Sequence, residues 1–341
     1  MARNVTIMDV ARAAGVSITT VSRALNNKPD VAPSTRQRIL DVIAELGYAP
    51  HAQAQNLAAG RSHSIAVLFP AERAGFSELE FEFFLGVAQA VGKADYLFNL
   101  VFDVLTEQQL LNLFRGNQID GAILMEIHLQ DWRVNLLREH GYPFVMIGHC
   151  EDNTGLSYVD LDFSSAVMLA CDHLVALGHR SIGFMNLVGE VRGRGYGPAV
   201  RSLWGYERAC REHGLPLIAS DSTERIEELN RATNRMLDRR PDVTAIIAHH
   251  GPEVVGIARA IHQRGLTIPQ DISLVAIISD KVAELITPPI TAISFPAHNM
   301  GLRAAQMLVA KLQDADYKDR QVLLKPRLVV RESTGPAPQR S

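Results

Sequence analysis

From Ser64 onward, short apolar runs alternate with amphipathic stretches, and this alternation restricts the fold more than any other feature of the chain. Strand candidates are Ile65–Phe69, Leu97–Phe102, Gly121–Leu124, Phe144–Ile147, Ser181–Phe184, Ala245–Ala248 and Leu274–Ile278. Helical periodicity fills the intervals at Phe81–Val91, Glu107–Phe114, Ala166–Leu177, Arg201–His213, Ile226–Leu237 and Val254–Gln263. Strands separated by helices pair in parallel, with helices on both faces of the sheet, so the fold class is α/β. Connections such as Leu177-Gly-His-Arg-Ser are compact helix-to-strand turns with glycine at the C-cap. The series runs twice and breaks near 160, which predicts two lobes with a cleft between them.

At 341 residues, 47% of them hydrophobic and 21% charged, the chain can build two or three ordinary domains. It has no apolar run of the roughly 18 residues that a membrane-spanning helix needs. Its first ten residues mix charge and polarity where an export signal has an apolar stretch. These features predict a cytoplasmic protein. Cys150, Cys171 and Cys210 are an odd set without Cys-x-x-Cys spacing, and read as buried thiols of a reducing compartment. The net charge of −3 is unevenly spread. Residues 1–64 hold seven Lys/Arg against four acids, or +3; taking that from −3 leaves −6 for the rest. A basic head on an acidic body suits a polyanionic partner at one end only.

Three short helices are legible in the head. Thr6, with Asp9 three residues on, makes a capping-box start, and Ile7, Val10, Ala11 and Ala14 form one apolar stripe before Gly15. Ser17 is a natural N-cap for a helix over 18–25 with Val21, Ala24 and Leu25 inward. Pro33 opens a third helix with Ile39, Val42, Ile43 and Leu46 inward and Gly47 beyond its end. Two helices joined by a short Gly-containing turn, with a third completing the core, is the helix-turn-helix pattern. The outward face of the second helix carries Ile18, Thr19, Thr20, Ser22, Arg23 and Asn26, and no acid lies between Asp9 and Asp30. Short side chains let a helix sit deep in the major groove, and one Arg can read guanine through two hydrogen bonds. Ser and Asn suit phosphate contacts. A merely solvated polar face has the same composition, so periodicity alone leaves both readings open. Residues 51–60 are good helix formers but too few for a helix stable alone. Leu57 is the one large apolar side chain between Pro50 and Gly60.

The run from Val5-Thr-Ile-Met-Asp-Val-Ala-Arg-Ala-Ala-Gly-Val-Ser to Ile18-Thr-Thr-Val-Ser-Arg-Ala-Leu-Asn26 closely resembles the DNA-binding head of the LacI/GalR family of transcription regulators. Val31-Ala-Pro-Ser-Thr-Arg-Gln-Arg-Ile-Leu and Glu45-Leu-Gly-Tyr-Ala-Pro50 continue the match. The resemblance implies base reading by Ile18, Thr19 and Arg23, phosphates near Ser17, Ser22 and Asn26, and Thr6 and Thr20 within the DNA-facing set. It also implies a hinge helix over 50–60 that pairs with its dimer mate in the minor groove, where Leu57 wedges between base pairs. Ile18 stands where family members often have a polar or aromatic reader. Further on, Leu177-Gly-His-Arg-Ser-Ile-Gly-Phe, Gly265-Leu-Thr-Ile-Pro-Gln-Asp-Ile, Leu285-Ile-Thr-Pro-Pro-Ile-Thr-Ala-Ile, Met300-Gly-Leu-Arg-Ala-Ala and Leu328-Val-Val-Arg-Glu-Ser-Thr resemble the family's ligand-binding core, itself similar to type I periplasmic sugar-binding proteins. The implied organisation is a head over 1–60 and an effector-binding and dimerisation domain over 61–335. Lobe 1 would take about 64–161 and 293–322, lobe 2 about 162–292 and 323–333, with a disordered tail over 336–341. The ligand is expected at the carboxyl ends of the strands.

The cleft is where the chain departs from the family. Asn-Asp is usual after the strand that here ends at Ala248, but this chain has His250-Gly251. A Gly-Phe-Asp-Asp type motif is replaced by Ala276-Ile-Ile-Ser-Asp280, and the Arg of an Arg-x-x-Gly motif is Ser202, with Arg201 displaced by one. These losses argue against a simple monosaccharide in the usual pose. Candidate effector contacts are Phe76, Glu78, Phe83, His149, Arg201, His250, Asp280 and Phe295; aromatic faces with a few polar groups suit a sugar ring or a base. Gly193-Arg-Gly-Tyr-Gly-Pro198 has the wrong spacing for a nucleotide loop, and His249-His250 diverge without an acid or Cys beside them, so no cofactor and no metal site are expected. No Gly-x-Ser-x-Gly elbow, Walker loop or paired carboxylates points to catalysis. The sequence thus predicts a homodimeric regulator, most often a repressor in this family, on palindromic double-stranded operator DNA, with no membrane partner. A sugar or sugar derivative between the lobes would modulate DNA affinity, which requires unequal binding to two lobe arrangements. The alternative, suggested by the altered cleft, is a DNA-binding regulator gated by a protein partner.

Overall fold

The computed structural model describes residues 5–25, 28–48, 62–70, 78–186, 195–221 and 225–339. Asn26, Leu57 and Phe76, and with Leu57 the expected hinge helix, lie outside the described residues. The chain divides into two units, residues 1–62 and 63–341.

In the first unit, Ile7–Ala14 (α1) starts on Thr6 and Asp9, whose side chains each accept from the other's backbone N–H, and stops at Gly15 in the left-handed conformation. Ile18–Leu25 (α2) starts on Ser17, whose Oγ accepts from Thr20 N at 3.1 Å. Pro33–Leu46 (α3) has proline in its first turn. Val10, Ala14, Val21, Ala24 and Ile39 close a core in which each is nearly or fully buried. Arg36 of α3 donates to Ala24 O, a carbonyl at the end of α2, at 3.1 Å and to Lys28 O, just beyond that helix, at 2.6 Å.

The second unit holds two six-stranded sheets. Lobe 1 is built from Ser64–Leu68 (β1), Leu97–Val101 (β2), Gly121–Leu124 (β3), Phe144–Ile147 (β4), Tyr158–Leu161 (β5) and, from far along the chain, Gln321–Leu324 (β11). Their order is β11-β5-β4-β3-β1-β2 and every pairing is parallel. Lobe 2 contains Ile182–Asn186 (β6), Ala219–Asp221 (β7), Ala245–Ala248 (β8), Ser273–Ile278 (β9), Thr291–Ser294 (β10) and Leu328–Val329 (β12), in the order β12-β10-β9-β8-β6-β7. Only β12 runs antiparallel to its neighbour. β1, β3, β4, β8 and β9 are buried along their whole length, as strands covered on both faces must be.

The helices that matter for the site are Glu78–Lys93 (α4), Phe163–Ala176 (α7), Gly197–His213 (α8), Gly251–Gln263 (α10), Asp280–Leu285 (α11) and Ala297–Gln313 (α12). Sheet membership puts the three crossings between lobes after Leu161, Ser294 and Leu324; the last two fall a couple of residues beyond 292 and 322 because β10 and β11 run on to those ends. α4 and α12 meet so closely that a Cβ on Gly86 would lie 2.1 Å from His298 O, and one on Gly301 would lie 2.2 Å from Phe83 O. The Met300-Gly-Leu pattern is thus a backbone-to-backbone contact that only glycine permits. Ser333, in the Arg-Glu-Ser-Thr motif, donates to Leu274 O and accepts from Thr291 N, stitching the last segment to lobe 2. The tail read as disordered from 336 is held further than expected: Ala337 N donates to Leu177 O at 2.9 Å, at the end of α7. All three cysteines are buried and free, and burial pushes the Cys150 thiol up to about 11. Among the described residues no helix is long and apolar enough to cross a membrane.

Candidate functional site

The first candidate surface is the outer face of α2. Val21 and Ala24 bury its inner side, while Ser17, Ile18, Thr19 and Arg23 face solvent and Thr20 and Ser22 are half-buried. Ile18 is 45% exposed, an unusual position for a β-branched apolar residue on an eight-residue helix, and one that suits contact with an apolar base edge. Ser17 Oγ and Thr20 Oγ1 lie 2.8 Å apart, so the first turn holds its own polar groups. Arg23 Nη2 pairs with Asp30 at 2.5 Å, and both side chains are about half exposed. A base or phosphate could take over that guanidinium at little cost, since exposed pairs contribute only about 0–1 kcal/mol. Thr6 is spent on its capping box with Asp9.

The second is the cleft between the lobes. In open α/β sheets ligands bind beyond the strands' carboxyl ends, where strand order reverses. The reversals here lie between β1 and β3 in lobe 1 and between β6 and β8 in lobe 2. Met125 and Glu126 follow β3, His249 and His250 follow β8, and all four line one pocket. Of the residues singled out from sequence, Phe83, His250 and Phe295 line it. Phe83 packs edge-on against Phe295 with centroids 5.8 Å apart, and Phe295 meets Phe163 at 5.9 Å, giving an aromatic wall that spans both lobes at a crossing.

The remaining candidates shape the cleft from outside this pocket. His149 Nδ1 is 2.7 Å from Asp160 Oδ2, with its ring stacked on Tyr158; Asp160, itself 1% exposed, is the member of the pair that lines the pocket. Arg201 reaches from α8 into lobe 1, where its Nη2 donates to His149 O at 2.9 Å and Cys150 O at 3.0 Å. Asp280 accepts from Ser294, Arg327 and Arg331. Burial pushes its carboxyl up, but those hydrogen bonds and the two guanidiniums outweigh it and hold the pKa below the usual carboxylate range. Asp280 therefore ties α11 to β10 and to the segments after the last crossing. Glu78 lies across the lobe boundary, accepting from Ser279 Oγ at 2.9 Å with Lys281 Nζ 3.7 Å away. The opposite flank is closed by backbone: Leu129 N donates to Gly195 O and Gly197 N to Ile127 O.

Several cleft residues carried no sequence signal. Glu80, Glu126, Asp160, Phe163 and Tyr196 line the pocket, and Tyr196 OH donates to Glu126 Oε1 at 3.3 Å. Asp160 belongs to β5, a four-residue strand whose apolar run is broken by this aspartate. Tyr196 sits in the Gly-rich stretch whose spacing is wrong for a nucleotide loop, and it is buried, 6% exposed. His249 is the most informative of the set. Its Nε2 is 2.6 Å from Ser202 Oγ, its ring stacks on Phe163, and burial holds its pKa down at about 4, so the imidazole is neutral near pH 7. Ser202 replaces the family's Arg, and His249 adjoins the altered Asn-Asp position. Ser202 thus pairs with the residue just before the altered Asn-Asp position, and the two form a neutral buried pair. Among the described residues no group of His, Cys, Asp or Glu is arranged to hold a metal.

A helix-turn-helix head and a two-lobed core with its cleft at the strand ends define a DNA-binding transcription regulator, and comparison with known proteins identifies the family. Residues 6–51 match the family model of bacterial regulatory proteins, lacI family, and residues 171–334 match the periplasmic binding protein-like domain. The HTH-type transcriptional regulator AglR of Rhizobium meliloti (strain 1021) is 32% identical over 355 residues, covering 99% of this chain and 96% of its own. Among solved structures, the complex of transcriptional regulator CelR with cellobiose is 27% identical with a TM-score of 0.72, covering 96% of this chain and 99% of that one. The Lac repressor dimer bound to operator and the anti-inducer ONPF, 24% identical, shares the fold with a TM-score of 0.82, covering 98% and 100%. The chain belongs to the LacI family.

Proposed function

We propose that the protein is a cytoplasmic, homodimeric repressor that grips a palindromic operator through the outer face of α2, and whose grip changes when a carbohydrate-related molecule occupies the cleft. The observation that carries this reading is the presentation of Ile18, Thr19 and Arg23 on a short helix whose other face is buried and whose two ends are tied by Ser17 and Arg36. A helix held this way meets the groove without first paying to order itself. Dimerisation is supported by the edge of lobe 1. Leu97 and Leu100 on edge strand β2, and Phe81 and Leu85 on α4, are 66%, 37%, 55% and 42% exposed; an apolar sheet edge of this kind is a template for a second copy. The cellobiose complex of CelR and the aromatic wall of the cleft support the sugar class.

The test starts with selection of duplexes from a random library and anisotropy titrations of the enriched sequence at fixed salt. An inverted repeat bound at least about a thousandfold more tightly than scrambled duplex is expected. Failure to enrich any sequence sinks the reading. In the same titrations Leu57→Ala weakens operator binding by about 1 kcal/mol or more, as loss of a minor-groove wedge should. A panel of mono- and oligosaccharides then tests the cleft: a ligand at 100 times its Kd raises stability by about 2.7 kcal/mol. Operator binding that no sugar in the panel shifts would favour gating by a protein partner.

A further inference from the structure

Lobe 2 carries a row of arginines that neither the cleft nor the head uses. Ile226–Arg239 (α9) turns Leu229, Ala232, Met236 and Leu237 inward. Its exposed residues are Glu227, Arg231, Arg235, Asp238 and Arg239, every one of them charged. Arg231, Arg235 and Arg239 recur at every fourth residue. They therefore share one face of the helix, about 6 Å apart along its axis and about 12 Å from end to end. The other arginines of this corner are matched with acids: Arg225 with Glu228, Arg240 with Asp242, and Arg264, at the end of α10, with Asp238. Among the described residues Arg231, Arg235 and Arg239 have no such partner. Arg259 on α10, the helix packed against α9, is exposed and has none either.

This arrangement works against the helix. Like charges four residues apart repel on a helix surface, and the row holds two such pairs in succession. It also runs against the charge of the body. Residues 225–264 hold seven arginines against five acids, or +2; taking that from the −6 of the body leaves −8 for the rest of it. A local choice that costs stability and opposes its surroundings is expected where function requires it. An anion laid along the row removes the repulsion. What the face lacks narrows the anion's chemistry. A protein interface is built round an apolar or aromatic centre, and no exposed residue of α9 is apolar. A polyphosphate needs only cations. Duplex DNA presents one charge for about every 1.7 Å of its axis, so several phosphates come within reach of such a row.

We propose that lobe 2 binds the phosphate backbone of double-stranded DNA along α9, through Arg231, Arg235 and Arg239, as a sequence-independent contact separate from the operator-reading face of α2. Phosphate contacts of this kind hold a duplex without reading it. The chemistry is the same whether the phosphates belong to DNA flanking the operator or to a second duplex.

Anisotropy titrations of the full chain against a long labelled duplex of mixed sequence, repeated from low to high salt, test the proposal without an operator being known. Each phosphate contact adds about 0.9 to the slope of log K against log salt concentration. Replacing the three arginines together, Arg231→Gln, Arg235→Gln and Arg239→Gln, therefore lowers that slope by about 2–3 and weakens binding at low salt at least about tenfold. The glutamines relieve the repulsion along α9, so this variant melts no lower than the native protein. Arg231→Lys, Arg235→Lys and Arg239→Lys together keep the charges and the slope, because a phosphate accepts either cation. Equal slopes for the native protein and the glutamine variant overturn the proposal. So does a loss that the lysine variant shares. Equal slopes on DNA, with poly-L-glutamate bound by the native protein and not by the glutamine variant, assign the row to an acidic protein and overturn it as well. Capture of a second duplex by protein saturated with a short operator, or a gain in affinity confined to lengthened operator duplexes, each supports it and tells the two sources of phosphate apart.

Discussion

The head and the cleft do their work with opposite architectures. In the head, the polar groups at α1 and α2 are held by neighbours close in sequence: Thr6 by Asp9, Ser17 by Thr20, Arg23 by Asp30. These contacts are exposed, so each is weak and can be exchanged for a contact with DNA. In the cleft, partners come from distant segments: Ser202 with His249, Arg201 with the carbonyls of 149 and 150, Glu78 with Ser279. Most of these groups are buried, so each is costly to break. Ion pairs of similar composition therefore have different consequences. Arg23–Asp30 lies in solvent, whereas Arg133–Asp131 has side chains 11% and 3% exposed and also holds Met125 O and Glu126 O at the cleft's edge.

The largest expected effect breaks the buried side of that comparison. Arg133→Met strands the Asp131 carboxylate in the interior and should cost about 3–5 kcal/mol in urea unfolding of the body. A loss below about 1 kcal/mol would mean that the interior of lobe 1 does not depend on this pair. Next comes the pH dependence created by His249. Its folded imidazole resists protonation down to about pH 4, while the unfolded one takes a proton near the ordinary 6.5. The unfolded state thus binds more protons between those values. Stability is full above about pH 6.5, falls by about 3 kcal/mol as the pH drops to 4, and levels off below. His249→Gln should flatten this window; an unchanged slope in the variant would place the titration elsewhere. The head has no histidine between residues 5 and 48 and no counterpart to this effect.

On the exposed side, Arg23→Ala should cost about 1–3 kcal/mol in operator binding and relax the preference at one base pair, with the melting temperature of the head nearly unchanged. Uniform weakening across all sequences would reassign Arg23 to phosphate. The smallest effect is that of Asp30→Asn, which should change the head's stability by less than about 1 kcal/mol. A larger loss in chemical denaturation would show that the exposed pair behaves like a buried one, and the contrast would fail.

Legibility in the sequence follows the same division. The head could be read nearly whole because its caps and its apolar stripe repeat within a turn or two: Thr6 with Asp9, Ser17 with Thr20, Val21 with Ala24. Arg36 was missed there, since its partners lie 8 and 12 residues away and no local pattern points to them. In the body, buried strands such as Ala245–Ala248 announced themselves as apolar runs. Ala219–Asp221 and Gln321–Leu324 did not, because these edge strands are largely exposed and mix polar with apolar residues. Of the cleft, Phe83, His250 and Phe295 were legible by resemblance. Asp160, Tyr196 and His249 were not, because their significance lies in what faces them.

The sequence by itself determined the head, the α/β alternation of the body and the positions at which the cleft departs from its relatives, since all three are written in local periodicity and contiguous motifs. Only the tertiary structure decided what those departures amount to. Ser202 finds its partner in His249, 47 residues away, and His250 and Ser279 come to line one pocket. Burial and pairing are properties of segments brought together by folding, and no window along the chain contains both partners.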